Sequence, residues 1–215
     1  MIETGSHAAD ALHEEDSSKR RQILAGARKV FMDLGFDGAS MGEIARAAGV
    51  SKGTLYVYFT DKSGLFEAIV EEESLLQRGA SLFDFKPSCG IVANLSGFGE
   101  AYLTMVCRPG GGSAIRTVMA IAERMPDVGR RYYNRVLEAT INRLAAYLEG
   151  RVQAKELDIP DCQLAASQFV LMCQATLFLP FIFQAAPAPS PERMREVTGS
   201  AVRMFLAAYG VKTSS

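Results

Sequence analysis

The segment SKGTLYVYF, residues 51–59, combines small polar residues with closely spaced aromatic residues in a pattern that suits contact with a polyanion. Gly53 allows a neighbouring backbone to approach closely, and the amide N–H groups at the start of a helix attract phosphate oxygens. The other polar side chains offer a positive charge, hydroxyl groups and phenolic rings, and they are Ser51, Lys52, Thr54, Tyr56 and Tyr58. The segment therefore predicts a surface that meets phosphates and base edges.

The residues before this segment predict two helices joined by a tight turn. Apolar residues between positions 20 and 34 recur at helical spacing, and Gly35 stands where a helix commonly ends. Ser40 and Glu43 then form a capping-box pattern that opens a second helix. The motif AGVS ends that helix at its glycine and caps the next helix with its serine. This order is typical of a helix-turn-helix.

Positive charge is concentrated in the same region, although the 215 residues carry a net charge of only −1. Residues 1–17 contain five acidic side chains, whereas residues 18–64 contain eight basic and four acidic ones, a net charge of +4. Residues 65–215 hold 15 of each sign. A local cationic block of this kind is expected where only one part of a protein faces phosphates.

The second helix of a helix-turn-helix enters the major groove, and side chains near its N-terminus meet bases and phosphates. Leu55 and Phe59, spaced i and i+4, are expected to point into the core instead. Val57 either contacts a thymine methyl group or packs within the protein. Tyr56 and Tyr58 have an alternative role as partly buried packing residues, but the cap, the turn and the local charge together favour DNA contact.

Residues 20–66 resemble the N-terminal domain of the TetR family of transcriptional regulators. The resemblance rests on ILAGA at 23–27, Phe31, Gly35-Phe36, SMGEIA at 40–45, AGVSKGTLY at 48–56, Tyr58-Phe59 and Lys62. It implies a homodimeric DNA-binding repressor with a three-helix head and a divergent helical body that binds an inducer.

The resemblance also implies which residues meet DNA. The positions that match DNA-contacting positions of the family are Ser40, Ser51, Lys52, Gly53, Thr54, Tyr56, Tyr58 and Lys62. Lys62 stands at the start of the next predicted helix, where its ammonium group is placed for a phosphate. Val57-Tyr58 departs from the aromatic-histidine pair of many members, so their base preference does not transfer to this chain.

The rest of the chain predicts further helices separated by proline and glycine residues. With the N-terminal helices they make an all-α protein of about nine helices, and the later ranges are 65–78, 92–107, 114–124, 127–154, 160–184 and 192–209. The body resembles C-terminal domains of the AefR-like branch of the family. The matching residues are Met119-Ala-Ile-Ala-Glu123, Pro126, Gly129, Tyr132-Tyr133 and Leu144-Ala-Ala-Tyr-Leu148.

The last two predicted helices carry more apolar residues than one core needs. Between positions 169 and 183 these residues cover more than one helical stripe, so one side is expected to meet a second copy of the chain. Burial of this helix inside a monomer is the alternative. A homodimer formed through these helices would place two heads about one DNA turn apart, or a multiple of it, on a near-palindromic operator.

Methionine, aromatic and cysteine side chains of the body are candidates for an adaptable ligand pocket. The candidate residues are Tyr102, Met105, Met119, Tyr133, Cys173, Gln174 and Phe178. Each apolar residue of this set could equally belong to the ordinary core. Gln174 could instead form a hydrogen bond across a dimer. Composition and the family resemblance imply a small hydrophobic or aromatic inducer.

An enzyme is the main rival from another functional class. The sequence contains no phosphate-binding glycine motif, nucleophile elbow or metal-spaced cluster, and both histidines, His7 and His13, lie in the acidic N-terminal segment. No catalytic residue, metal or cofactor is therefore expected. The four scattered cysteines indicate reduced thiols, with redox sensing as the less favoured alternative.

The sequence thus divides into a flexible acidic tail at 1–17, a helix-turn-helix domain at 18–64 and a helical ligand-binding and dimerisation domain at 65–215. No apolar run reaches the roughly 20 residues of a membrane span, and the N-terminus lacks the pattern of a signal peptide. A cytoplasmic, nucleoid-associated bacterial protein is expected. Its expected function is a ligand-released repressor; an activator or a ligand-independent DNA-binding protein is the alternative, and a small helical enzyme the remote one.

Overall fold

A computed structural model of the chain describes residues 4–79, 84–108 and 111–211. The N-terminal helices are α1 (Thr4–Gly38), α2 (Met41–Ala48), α3 (Lys52–Tyr58) and α4 (Lys62–Gly79). The body contains α5 (Ile91–Val106), α6 (Gly111–Ile121), α7 (Pro126–Tyr132), α8 (Ala139–Gln153), α9 (Cys162–Gln174), α10 (Phe178–Ile182) and α11 (Pro191–Tyr209). A π-helical segment, Tyr133–Glu138, joins α7 to α8. The described ranges contain no strand, which confirms the all-α prediction.

The helix-turn-helix forms from local capping interactions that the sequence predicts. Ser40 caps α2 and Ser51 caps α3, and each hydroxyl oxygen accepts a hydrogen bond from the backbone N–H three residues later. Gly49 ends α2 in the left-handed conformation, with φ 64° and ψ 36°. Because a Cβ would be strained in that conformation, glycine permits the sharp turn between α2 and α3.

Helix α1 begins earlier than predicted and is interrupted near its end. Its helical backbone starts at Thr4, so residues 4–17 of the predicted tail are helical, and residues 1–3 lie outside the described residues. Several alanines and Leu12 favour this extension, since they have good helix propensity. Gly35 has φ 70° and ψ 176°, a conformation that residues with a Cβ rarely adopt, at the position where the sequence predicts the helix end.

Two helices that the sequence predicts as continuous are divided in the structure. The helix expected over 160–184 ends as α9 at Gln174 and resumes as α10 at Phe178. In an unbroken helix, the ring of Pro180 would clash with the carbonyl group of Thr176; in α10 it lies in the first turn, where proline is tolerated. The helix expected over 127–154 is divided by the π-helical segment. None of the helices in the described ranges combines the length and apolar content that crossing a bilayer requires.

Buried apolar side chains form two clusters. One fills the body between α5, α8, α9 and α11, where Tyr102, Phe169 and Phe205 are at most 1% exposed. The other fills the helix-turn-helix and continues into the body. Its continuation, which we call the seam, joins Phe66, Ile69 and Val70 of α4 to Val118, Ile121, Val128, Tyr132 and Val136.

Ion pairs flank the seam on its solvent side. Arg131 pairs with Glu67 at 2.6 Å and Arg135 with Glu71 at 3.2 Å, so the segment around α7 is tied to α4 by charge as well as by apolar packing. Side chains on both sides of the predicted domain boundary at 64/65 therefore share one cluster. The boundary itself stays a prediction.

We predict that Gly26→Ala destabilises the head by about 1–3 kcal/mol, because α1 and α2 cross in close contact at this residue. A Cβ on Gly26 would lie 2.6 Å from both the Cα and the backbone nitrogen of Ala48. The free energy of unfolding from chemical denaturation measures the effect.

Gly97→Ala is the matched control, since a Cβ there would meet nothing within 4 Å. This substitution inside α5 is expected to stabilise the protein by about 0.5–1 kcal/mol. Equal stabilities of the two variants would contradict the close crossing of α1 and α2.

Candidate nucleic-acid interface

The N-terminal turn of α3 presents a polar surface to solvent. Ser51, Lys52 and Gly53 are exposed. The hydroxyl oxygen of Ser51 accepts from the backbone nitrogen of Thr54 at 2.9 Å and lies 2.8 Å from its side-chain oxygen. Both hydroxyl groups are therefore partly engaged in capping the helix, and the lysine and the glycine backbone are the more accessible features of this turn.

The two faces of α3 are separated as the i, i+4 spacing predicts. Leu55 is fully buried and Phe59 is 8% exposed, which confirms that both belong to the core. Val57 is 82% exposed and Tyr56 51% exposed. Of the two roles that the sequence leaves open for Val57, this exposure excludes packing within the chain. This exposed face carries an apolar group and a phenol side by side, which suits contact with base edges.

Ser40 and Lys52 both lie close to Gly42 at the start of α2. A Cβ at Gly42 would lie 3.0 Å from Cε of Lys52 and 3.9 Å from the hydroxyl oxygen of Ser40, so the lysine stem passes over this glycine. Ser40 donates a hydrogen bond to the carboxylate of Glu43 at 2.7 Å, and its backbone N–H donates a second one at 3.0 Å. These hydrogen bonds, first the side-chain one and then the backbone one, lower the pKa of Glu43.

Tyr58 lies at the last position of α3 and is half-buried. Its hydroxyl group donates a hydrogen bond of 2.6 Å to the carboxylate of Asp16 on α1. The structure therefore places the phenol at the edge of the interface, where it contacts an acidic side chain of the N-terminal segment.

Lys62 has a structural role that the sequence did not reveal. Its ammonium nitrogen lies 2.8 Å from the carbonyl oxygen of Phe36, and 3.3 Å from those of Asp37 and Ala39. It also lies 4.7 Å from the centre of the Phe36 ring. An ammonium group has three N–H donors, and these three carbonyl groups occupy them. The structure therefore shows Lys62 as a cap on the end of α1, and its phosphate contact stays a prediction.

Residues 19–22 of α1 lie beside α3, which was not predicted from the sequence. Lys19, Arg20 and Arg21 belong to the positive block, and their adjacent positions were the available signal. The guanidinium group of Arg20 lies 5.6 Å from the centre of the Phe59 ring, directly after α3. Gln22 donates a hydrogen bond of 2.7 Å to the carbonyl group of Ala48. The middle of α1 is thus held against the helix-turn-helix and adds cationic side chains to its surface.

The predicted pocket residues are only partly brought together. Tyr102, Met105 and Cys173 are at most 5% exposed and lie in the body cluster. Gln174 donates a hydrogen bond to the hydroxyl oxygen of Tyr102, and the half-buried Phe178 packs against the same cluster. By contrast, Met119 is 66% exposed and Tyr133 51% exposed, so the structure does not place these two side chains in the buried group.

Burial controls the ionisation of this interior group. It raises the pKa of Tyr102 to about 12 and that of Cys173 to about 12. Burial also raises the pKa of the Cys107 thiol to about 11. These side chains are neutral at physiological pH, and a protonated buried thiol is a poor nucleophile, which disfavours redox sensing at Cys107 and Cys173.

A cavity lies elsewhere in the body, at the end where α8 approaches the end of α11. Its volume is about 630 Å³, and it is lined by Val152, Lys155, Leu157, Asp158, Ala208, Gly210 and Val211. The backbone hydrogen bond of 2.9 Å from Asp158 to Tyr209 and the bridge between Leu157 and Gly210 hold its walls together. None of the predicted ligand-binding residues lines this cavity.

Two family models match the chain. Residues 93–211 match the AefR-like transcriptional repressor C-terminal domain, and residues 23–69 match the bacterial regulatory proteins of the tetR family. The second match covers the helix-turn-helix and the beginning of α4.

Relatives and a solved structure agree with these matches. The HTH-type transcriptional repressor Rv1474c of Mycobacterium tuberculosis is 29% identical over 189 residues, which are 84% of this chain and 89% of that protein. The HTH-type transcriptional regulator UidR of Escherichia coli is 28% identical over 171 residues, 76% of this chain and 81% of that protein. The structure of the flavonoid-responsive regulator FrrA is 31% identical, with a TM-score of 0.75 over 92% of this chain and 100% of that chain.

Three observations lead to one conclusion: the capped helix-turn-helix has an exposed recognition face, a helical body follows it, and family models match both parts. The chain belongs to the TetR family, with an AefR-like C-terminal domain, and is a DNA-binding transcriptional regulator, not an enzyme.

Proposed function

We propose that this regulator is a homodimeric repressor that occupies a near-palindromic operator and leaves it when a small hydrophobic or aromatic compound binds to the body. The observation that carries the proposal is the exposed face of α3, which presents Lys52, Tyr56 and Val57 to solvent on a rigid, capped helix. A face of this kind fits the major groove. The helical body is then the part proposed to form the dimer and to bind the ligand.

The residues proposed to contact DNA divide by chemistry. Lys52 supplies a charge for a phosphate, and the backbone at Gly53 approaches the duplex closely. Tyr56 and Val57, with Thr54 beside them, face the base edges, where a valine methyl group can meet a thymine methyl group. Ser40 and Ser51 contribute through the helix starts that they cap, since their hydroxyl oxygens already accept backbone hydrogen bonds.

The outer face of α9 supports dimerisation through the last helices. Leu164, Gln168 and Leu171 are exposed and follow each other at spacings of four and three residues, which places them on one stripe. Leu164 and Leu171 are 53% and 62% exposed in the single chain. Met204 of α11, 53% exposed, adds to the apolar surface of the last helices. A second copy is the occupant that best removes this stripe from water.

Tyr102 and Gln174 are the proposed polar anchor for an aromatic ligand. The hydroxyl oxygen of Tyr102 accepts from Gln174, which leaves its own O–H to donate to a ligand oxygen. With a pKa of about 12, this phenol keeps its proton at physiological pH. Met105 and Phe178 of the same cluster provide adaptable apolar contacts. The flavonoid response in the name of FrrA supports a planar, hydroxylated aromatic compound as the first class to test.

The seam is the proposed route from ligand to DNA. Since α4 and the α6–α7 segment share buried side chains, a shift of the body helices must either move α4 or open this packing. A tenfold loss of operator affinity requires about 1.4 kcal/mol of differential ligand binding, which is within the usual range of coupling energies.

We expect that a flavonoid at saturation weakens operator binding by about tenfold or more, the upper part of the usual coupling range. Footprinting on DNA that flanks the gene would define the operator, and fluorescence anisotropy with a labelled duplex would measure affinity with and without the flavonoid. Tyr102→Phe should retain operator binding and lose much of the flavonoid effect, because it removes the O–H donor from a buried site.

Two negative results have different meanings in this experiment. A full flavonoid response in Tyr102→Phe would contradict the proposed anchor. Operator binding that no flavonoid changes in the unaltered protein would contradict the ligand class, while leaving DNA binding intact.

Lys52→Ala is expected to reduce the salt dependence of DNA binding, because one phosphate contact per subunit is lost. The slope of log K against log salt concentration should become shallower by about 0.9 for each lysine removed. Lys62→Ala is the matched variant: its slope should be unchanged, and its free energy of unfolding should fall by about 1–3 kcal/mol through the lost cap on α1. A shallower slope for Lys62→Ala without loss of stability would contradict the proposal that Lys62 serves only as a cap.

Leu171→Asp is expected to convert the dimer to a monomer, because it places a charge in the middle of the proposed α9 stripe. Sedimentation velocity measures the mass, and operator affinity should fall because the two heads no longer bind together. Leu34→Asp replaces a leucine that is 49% exposed on α1 and should leave the dimer intact. If both variants stay dimeric, another face forms the dimer.

A further inference from the structure

The carboxylate of Asp16 contacts the end of the recognition helix. The hydroxyl group of Tyr58 donates to Oδ1 of Asp16 at 2.6 Å, across 42 positions of sequence. Both side chains lie at the surface, Asp16 exposed and Tyr58 half-buried. A carboxylate oxygen and a phosphate oxygen are chemically similar anionic acceptors for a phenolic O–H.

Neighbouring contacts hold α1 in the position that makes this hydrogen bond. One helical turn after Asp16, the guanidinium group of Arg20 lies over the ring of Phe59 at 5.6 Å. Gln22 donates to the carbonyl group of Ala48 at the end of α2 at 2.7 Å. The middle of α1 is thus attached to the region of the recognition helix at three points, and these contacts place the Asp16 carboxylate next to Tyr58.

We propose that Asp16 competes with a DNA phosphate for the hydroxyl group of Tyr58 and thereby lowers the affinity of the regulator for duplex DNA. This inference rests on the proposed DNA-binding function and on the DNA contact that the sequence predicts for Tyr58. In the free protein the phenol donates to the carboxylate; on binding, the O–H turns to a phosphate oxygen and the Asp16 charge moves away from the duplex. Every complex with DNA must therefore break the contact between Asp16 and Tyr58.

The charge distribution is consistent with this competition. Residues 1–17 carry five acidic side chains next to a region with a net charge of +4. Because non-specific DNA binding comes mainly from phosphate contacts, an acidic acceptor at the interface reduces binding to any duplex, whatever its sequence. The contact thus weakens binding to the operator and to other DNA alike.

Asp16→Ala tests the competition directly. Affinity for a fluorescein-labelled duplex of mixed sequence, measured by anisotropy at low salt, is expected to rise about two- to fivefold, the usual range for an exposed charged contact. The gain should shrink as salt is added, since screening weakens interactions between exposed charges. Asp16→Asn, which keeps an acceptor oxygen and loses the charge, should give a smaller gain than Asp16→Ala.

Asp33→Ala is the matched control for the removal of a carboxylate from the same helix. Asp33 is exposed on α1, about 25 Å further along its axis, and its replacement should leave DNA affinity unchanged. Thermal unfolding of each variant checks that the head is folded. An equal gain in Asp33→Ala would mean that total charge, not the position of Asp16, sets the affinity, and would overturn the proposal.

A double-mutant cycle with Tyr58→Phe separates competition at the hydroxyl from general repulsion. In the Tyr58→Phe background, Asp16→Ala should no longer raise DNA affinity, because there is no O–H to release. A gain that persists there, no gain in the unaltered background, or weaker binding by Asp16→Ala would each overturn the inference. If the unaltered protein binds no duplex even at low salt, the failure lies with the proposed function itself.

Discussion

The buried packing between α4 and the α6–α7 segment is the constraint on which the rest of the structure depends. Phe66 and Ile69 of α4 lie in the same cluster as Ile121 and Val128 of the body. Since close-packed side chains resist continuous deformation, a rotation of the helix-turn-helix relative to the body must either move or open this packing. A TetR-family regulator that responds to a ligand needs such a link, and the ion pair between Arg131 and Glu67 reinforces it on the outside.

The recognition helix is short, and its position depends on contacts made outside it. Its seven residues form too few hydrogen bonds for an isolated helix to be stable, so Leu55 must anchor it in the head core. Gly26, in turn, allows α1 and α2 to cross closely enough to form that core. The exposed side chains at the start of α3 are therefore carried by a rigid support, which reduces the entropy lost when they bind DNA.

Polar side chains near the interface serve both folding and recognition, and only some remain available to a ligand or to DNA. Lys62 caps α1, and Tyr58 donates to Asp16, whereas Lys52 extends over Gly42 to the surface. The same distinction applies in the body, where the hydroxyl oxygen of Tyr102 accepts from Gln174 and its O–H is the group proposed to meet a ligand. A polar residue can therefore contact DNA or a ligand only where it keeps a donor or acceptor that no other group of the protein occupies, and residue type alone does not show this.

The sequence by itself determined the helical class, the helix-turn-helix and the core face of α3, because caps, glycine turns and apolar spacing act over a few residues. It also contained the reason for the break before α10, since Pro180 cannot continue a helix, although the break was not predicted. Only the tertiary structure decided the partners of Lys62, which lie 23 to 26 positions away, and the exposure of Met119. Those outcomes depend on how distant helices pack, and local spacing carries no information about that.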